Sequence, residues 1–160
     1  MADKPSVLFI CVKNGGKSQM AAGLMRQLAG DRVHVDSAGT HPGANLNELS
    51  VATLREIDVD ITGRNTKPVT PDLVGAADLV VILGREARLE PVDGTRFDVW
   101  ETDEPSERGI DGADRMRLVR DDIAARVHQL AHDLGLAQIT RVAVTSIVIR
   151  TGLLKVWLSL

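Results

Sequence analysis

The chain has 160 residues, of which 44% are hydrophobic and 26% are charged, a balance typical of one globular domain. Its net charge of −3 and pI of about 5.8 exclude the broad basic surface of a nucleic-acid-binding protein, so no nucleic-acid partner is expected. A single cysteine, Cys11, excludes a disulfide framework within the chain and favours a reducing, cytoplasmic setting.

Hydrophobic periodicity divides the chain into alternating strands and helices. In chain order, the patterns predict a buried strand at 7–12, a helix that begins at Ser18 and ends at Gly30, a short strand at 33–35, a less regular helix at 46–57, a short helix at 72–77, a buried strand at 79–83, a short strand at 97–100 and a long amphipathic helix at 112–134.

Two of these strand patterns are apolar throughout, which is typical of strands covered on both faces. The alternation predicts an α/β fold with a small central, mainly parallel four-stranded sheet and helices on both faces. Residues 1–135 form the predicted domain, and residues 136–160 form an atypical C-terminal extension. Charged residues interrupt that extension, so we do not expect it to cross a membrane, which takes about 20 apolar residues.

Residues 11–18, Cys-Val-Lys-Asn-Gly-Gly-Lys-Ser, join the first strand to the first helix. Backbone N–H groups and the helix dipole converge at such a junction, so the loop is expected to bind an oxyanion. The loop nearly matches the nucleotide-binding pattern G-x-x-x-x-G-K-[ST], but Cys11 stands at its first glycine. The strand at 79–83 is followed by Gly84-Arg85 and not by a carboxylate for magnesium, which disfavours a nucleotide site.

A nucleophilic thiol explains the loop better. Helix N-termini and neighbouring cations stabilise thiolates in proteins, and Lys13, Lys17 and the Ser18 hydroxyl are near Cys11 in sequence. The loop that binds the oxyanion would then also activate the nucleophile. A lone cysteine is more commonly just a small buried residue, but its position at this junction argues against that interpretation.

Three ordered motifs resemble the low-molecular-weight protein tyrosine phosphatase superfamily, which includes one class of arsenate reductases. Its loop C-x-x-x-x-x-R-S is matched by Cys11, Asn14 and Ser18, and a second hallmark by Ser37-Ala38-Gly39-Thr40. Its acid–proline loop is similar to Asp103-Glu104-Pro105. The resemblance implies the superfamily's fold and a cysteine nucleophile.

This resemblance covers residues 6–134 and has one departure, since Lys17 stands where the phosphatases have Arg. Arg grips a tetrahedral oxyanion with two parallel hydrogen bonds, whereas Lys offers a point charge. The Gly-Gly-Lys-Ser segment is instead similar to the mycothiol-dependent arsenate reductases (arsenate–mycothiol transferases). Thioredoxin-coupled arsenate reductases of this fold also resemble the chain, but they use two further cysteines, which this chain lacks.

The resemblance to the mycothiol-dependent branch implies that arsenate reacts with an external low-molecular-weight thiol, mycothiol or another. It also implies a mycoredoxin- or glutaredoxin-like redox protein that acts downstream. No bound cofactor or metal is expected. The predicted catalytic residues are Cys11, Lys17, Ser18, Asp103 and Glu104, and the predicted oxyanion-binding residues are Val12, Lys13, Asn14, Gly15, Gly16 and Lys17. Asp103 is preferred over Glu104 as the general acid that protonates the departing oxygen.

Two other functions fit parts of the pattern. A phosphatase would hydrolyse phosphate monoesters through a phosphocysteine, but an aromatic wall for phosphotyrosine is hard to build from two Phe, two Trp and no Tyr. A non-catalytic anion-binding module would not need Cys11, Asn14, Ser18 and an acid loop together. The sequence is compatible with either a monomer or a homodimer.

Overall fold

The computed structural model describes residues 3–136, and within them one sheet of parallel strands carries the fold. The strands are β1 at Ser6–Cys11, β2 at His34–Gly39, β3 at Leu79–Leu83 and β4 at Arg96–Trp100, in the spatial order β2-β1-β3-β4. The predicted α/β fold and four-stranded parallel sheet are confirmed. Residues 137–160 of the predicted extension lie outside the described residues.

The helices follow the predicted order. They are α1 at Lys17–Ala29, α2 at Glu48–Arg55, α3 at Pro71–Ala76 and α4 at Gly112–Asp133. The predicted helix at 46–57 is shortened because the Asn47 side chain caps it, accepting a hydrogen bond from the Ser50 N–H at 2.9 Å. At its other end Asp58 takes a φ of 60°, which a continuing helix does not allow.

Alternate residues of β1 enter two separate hydrophobic layers, which places helices on both faces of the sheet as predicted. Val7, Phe9 and Cys11 belong to the layer that contains α1, α2 and α4. Leu8 and Ile10 belong to the layer that contains Val74 of α3. Side chains on successive strand residues point to opposite faces, so a strand apolar at every position is buried on both.

Strand β2 is longer than its sequence pattern predicts. The sequence predicts a strand only at 33–35, yet the structure extends β2 to Gly39 in parallel register with β1, so that Cys11 pairs with Gly39. Asp36, Ser37 and Gly39 have low strand propensity, and the pairing with β1 overrides it. The carboxyl ends of β1 and β2 therefore lie side by side, which is where open parallel sheets bind ligands.

Candidate active site

Cys11, the last residue of β1, lines a cavity of about 520 Å³ at the carboxyl ends of the strands. We call residues 11–16 the cradle loop and residues 102–107, which form another wall, the acid loop. The predicted site residues that line this cavity are Cys11, Val12, Lys13, Gly15, Gly16, Lys17 and Glu104. Three others, Asn14, Ser18 and Asp103, are not among its lining residues.

Backbone hydrogen bonds turn the cradle loop into an amide cup. The carbonyls of Cys11, Val12, Lys13 and Gly15 accept from the N–H groups of residues 40, 41, 43 and 47, at 2.8–3.1 Å. We call residues 40–47 the outer segment. In a trans peptide the N–H points opposite to the C=O, so the N–H groups of residues 12, 13, 14 and 16 point away from the outer segment. The Asn14 N–H does so visibly, because it donates to Cys11 Sγ at 3.2 Å. Convergent N–H groups of this kind bind oxyanions in other proteins.

Two glycines make this close approach possible. A Cβ on Gly39 would lie 2.6 Å from the Val12 carbonyl oxygen, and a Cβ on Gly15 would lie 2.8 Å from the Asn45 carbonyl oxygen. Both distances are below any real carbon–oxygen contact and both partners are backbone atoms. Gly39 belongs to the Ser37–Thr40 motif, so one role of that motif is to let the outer segment lie against the cradle loop.

Two hydrogen bonds meet at the Cys11 sulfur. Besides the Asn14 N–H, the Ser18 hydroxyl lies 3.0 Å from Sγ. The direction of that bond follows from a third one, in which Asn14 Nδ2 donates to Ser18 Oγ at 2.8 Å. Because the oxygen accepts from Asn14, its own proton is free to point at the sulfur. The predicted role of Ser18 next to Cys11 therefore has a suitable geometry.

Asn14 supports the nucleophile from beneath. The sequence assigns it to oxyanion binding, but its side chain is fully buried, and its Oδ1 accepts from the Lys67 N–H at 3.0 Å and from Gln19 Nε2 at 3.4 Å. Its φ of 53° is a left-handed conformation that Asn tolerates better than most residues. The Asn14 side chain is therefore held in place by buried hydrogen bonds, and sequence motifs give no sign of its partners Gln19 and Lys67.

Glu104 lines the cavity together with the cradle loop. Its Oε1 accepts a hydrogen bond from Lys17 Nζ, and its Oε2 lies 3.4 Å from Arg115 Nη2 on α4. All three side chains are partly buried and line the cavity. Arg115 has no counterpart in any sequence motif, and it reaches the cavity only because α4 packs beside the acid loop.

Asp103, the acid that the sequence favours, points toward Arg108 and does not line the cavity. Both of its carboxylate oxygens accept from Arg108, at 2.7 and 3.0 Å. These hydrogen bonds from Arg108 are the main reason why the pKa of Asp103 lies below its ordinary value. Asp103 is turned toward Arg108 and does not line the cavity, whereas Glu104 does, so Glu104 is the better placed of the two acids.

The chemical character of the cavity is polar and compact. No aromatic side chain is found among the described residues that line it, and Trp100 instead packs on Phe9 in the core at a centroid distance of 5.8 Å. Arg85 lies at the cavity wall, as its position after β3 indicates, while Arg88 does not line it. Such a cavity suits a small inorganic oxyanion better than an aromatic ester.

Two general features of residues 3–136 complete the description. Nowhere in that range do three or more His, Cys, Asp or Glu side chains gather closely enough to hold a metal ion. None of the helices found there combines the length and the apolar character that crossing a membrane requires.

The sequence is similar to a known protein family and to several curated proteins. The model of the low molecular weight phosphotyrosine protein phosphatase family matches residues 6–141. An arsenate reductase of Staphylococcus epidermidis is 33% identical over 135 residues, which cover 81% of this chain and 97% of that protein. A putative arsenate reductase of Halobacterium salinarum is 32% identical over 129 residues, covering 76% and 87%.

Solved structures agree with these relatives. The thioredoxin-dependent arsenate reductase of Corynebacterium glutamicum superposes with a TM-score of 0.71 and is 32% identical in sequence. The superposition covers 83% of this chain and 63% of that protein's chain. A tyrosine phosphatase of Erwinia amylovora also superposes with a TM-score of 0.71, over 82% of this chain and 94% of its own. The two sequences are only 16% identical, so this similarity shows a shared fold alone.

Proposed function

Since the chain belongs to the low molecular weight phosphotyrosine protein phosphatase family, we propose that it is an arsenate reductase in which the Cys11 thiolate attacks arsenic. The observation that carries this proposal is the environment of the Cys11 sulfur, which is hydrogen-bonded to Ser18 and Asn14 and lies beside the amide cup. The cavity that it lines has no aromatic side chain among its described lining residues. The arsenate reductases among its relatives, at 33% and 32% identity, support the same substrate.

The first step is a substitution at arsenic. Arsenate occupies the cup formed by the N–H groups of residues 12, 13 and 16, with Lys17 as a countercharge. The Cys11 thiolate forms a bond to arsenic, and one arsenic–oxygen bond breaks as that oxygen takes a proton and leaves as water. Glu104 is the proposed donor of that proton, because it lines the cavity whereas Asp103 is tied to Arg108. Arsenic remains pentavalent in the Cys11 adduct.

The second step needs a thiol from another molecule. The chain has one cysteine in its 160 residues, so a disulfide between Cys11 and a second cysteine of the chain cannot complete the cycle. We propose that a low-molecular-weight thiol, mycothiol or one like it, attacks arsenic and displaces the Cys11 thiolate. The product is a thiol–arsenate conjugate and the enzyme is regenerated. This chemistry needs a reducing compartment such as the cytoplasm, since Cys11 has to stay a free thiol.

Reduction then takes place on the conjugate. A redox protein of the mycoredoxin or glutaredoxin kind attacks the conjugate's sulfur with its own thiolate, forming a mixed disulfide. The sulfur–arsenic bond breaks, its electron pair stays with arsenic, and arsenite is released. Two electrons thus pass from the two thiols to arsenic.

A paired assay tests the substrate class and the source of the thiol. One arm contains the purified protein, arsenate, mycothiol, mycoredoxin and an NADPH-linked recycling system, another replaces the thiol system with thioredoxin and its reductase, and a third contains p-nitrophenyl phosphate. We expect arsenate-dependent NADPH oxidation in the first arm. Oxidation in the thioredoxin arm alone would overturn the low-molecular-weight thiol, and ester hydrolysis without arsenate reduction would make the protein a phosphatase.

A further inference from the structure

Arg115 is a guanidinium with unused hydrogen-bonding capacity in the wall of the cavity. It lines the same cavity as Cys11 and Lys17, and its Nε–H is buried without an acceptor in the part of the chain that the structure describes. Its contact to Glu104 is long, at 3.4 Å. Arg117, two residues later on α4, contrasts with it, because it donates to Glu56 and Asp114 at 2.8–3.2 Å.

An orphaned N–H is unfavourable in a folded protein and needs an explanation. A guanidinium is also the group best shaped to hold two oxygens of a tetrahedral oxyanion, which Lys17 cannot do with a point charge. We infer that Arg115 is a second substrate-binding cation, which grips the oxyanion from α4 and supplies the forked contact that Lys17 lacks. The inference deepens the proposed function and rests on the same cavity.

Glu104 fits this arrangement as the anion that both cations contact in the structure. Its two carboxylate oxygens face Lys17 and Arg115, one each. An incoming oxyanion takes the place of this carboxylate as the partner of both cations. Glu104 is then released from the two cations and is free to turn toward the bound oxyanion.

Calorimetric titration of the wild-type protein with inorganic phosphate tests the inference, because phosphate is tetrahedral and is not reduced. Arg115→Gln is expected to weaken phosphate binding about 10- to 100-fold, the usual loss for a charge-assisted hydrogen bond. Arg117→Gln removes the same charge from the same helix outside the cavity and is expected to change binding less than about twofold. Thermal melts of both variants verify that they are folded.

A double-mutant cycle with Glu104→Gln separates direct contact from mere positioning of Glu104. Glu104→Gln alone is expected to tighten phosphate binding, since it removes the carboxylate that competes for the two cations. Arg115→Gln should weaken binding in both backgrounds. If its effect disappears in the Glu104→Gln background, Arg115 acts only through Glu104 and the inference is overturned.

Steady-state kinetics give the corresponding distinction for the cosubstrate. Arg115→Gln is expected to raise the KM for arsenate and to leave the KM for the thiol unchanged. A change in the thiol KM alone would assign Arg115 to the cosubstrate and overturn the inference. Phosphate binding that depends on Arg115 in a protein that does not reduce arsenate would refute the proposed function and retain the inference. A wild-type protein that binds no phosphate would refute the inference by itself.

Discussion

The cradle loop and the acid loop form opposite parts of one cavity but are held by different forces. The cradle loop is fixed by backbone bonds to residues 40–47 and by the fully buried Asn14. The acid loop is held by charged side chains, with Asp103 on Arg108 and Glu104 on Lys17 and Arg115. Buried backbone bonds keep one geometry, whereas partly exposed ion pairs exchange partners easily. The fixed loop therefore suits the nucleophile, and the exchangeable loop suits the proton donor.

Removing the nucleophile has the largest expected effect on this division of roles. Cys11→Ser should abolish arsenate reduction, by a factor of about 10⁴ or more, because a serine hydroxyl in place of the thiolate is a far weaker nucleophile. The fold should persist, since the two side chains are nearly equal in size. The rate of arsenite formation measures the effect, and any activity within tenfold of wild type would refute the assignment of Cys11.

The choice of acid is tested by comparing Asp103 and Glu104 in the acid loop. Glu104→Gln should lower the rate of arsenate reduction about 10²-fold or more, the range typical of a lost general acid. Asp103→Asn should lower it only a few fold, because Asp103 faces Arg108 and does not line the cavity. Single-turnover rates of the two variants provide the measurement. The reverse order would restore Asp103 as the acid.

The cradle loop is tested through the glycine on which it rests. Gly39→Ala puts a Cβ 2.6 Å from the Val12 carbonyl oxygen, and we expect a loss of about 1–3 kcal/mol in the free energy of unfolding. Gly75→Ala is the matched control, since a Cβ there meets nothing within 4 Å. In α3 that change should be neutral or stabilise by up to about 1 kcal/mol. Urea unfolding curves give the free energy of unfolding of both variants. If Gly39→Ala is as stable as Gly75→Ala, the outer segment does not constrain the cradle loop.

The smallest expected effect concerns pH and the Asp103–Arg108 pair. The pKa of Asp103 lies below its ordinary value because of Arg108, so the pair contributes stability above the ordinary pKa, and this contribution is lost as the pH falls through the lowered value. Arg108→Gln should therefore raise the pKa of Asp103 and remove a small stability increment that is present at pH 7 and absent in strong acid. NMR titration of the Asp103 carboxyl measures the shift.

Arg88→Gln serves as the control for that titration, because Arg88 is an exposed arginine that does not line the cavity. It should leave the Asp103 titration unchanged. An Asp103 pKa that is the same in wild type and Arg108→Gln would contradict the ion pair and reopen the choice of acid.

The sequence predicts most of the fold and the place of Cys11 within it. β3 coincides with its predicted range, and α4 ends one residue before the predicted 134. These elements are predictable because their buried positions recur in the sequence as apolar residues at the spacing of a strand or a helix. The sequence also places Cys11 between strand and helix, because that local motif needs no distant residue to be recognised.

The remaining features depend on contacts between distant parts of the chain. β2 continues to Gly39 only because β1 lies beside it. The choice between Asp103 and Glu104 depends on the rotation of the acid loop against Arg108, and Arg115 reaches the cavity through the packing of α4. No local pattern encodes these relations, so the sequence favours Asp103 over Glu104 and gives no sign of Arg115.

Direct detection of the thiol–arsenate conjugate is the most direct test of the central claim that Cys11 transfers arsenic to an external thiol. Wild-type protein is mixed with arsenate and mycothiol, without any redox protein, and the small molecules are analysed by mass spectrometry. We predict a conjugate of pentavalent arsenic with mycothiol, formed by the wild type and absent with Cys11→Ser. Arsenite that forms only on addition of thioredoxin, with no conjugate at any time, would contradict the account.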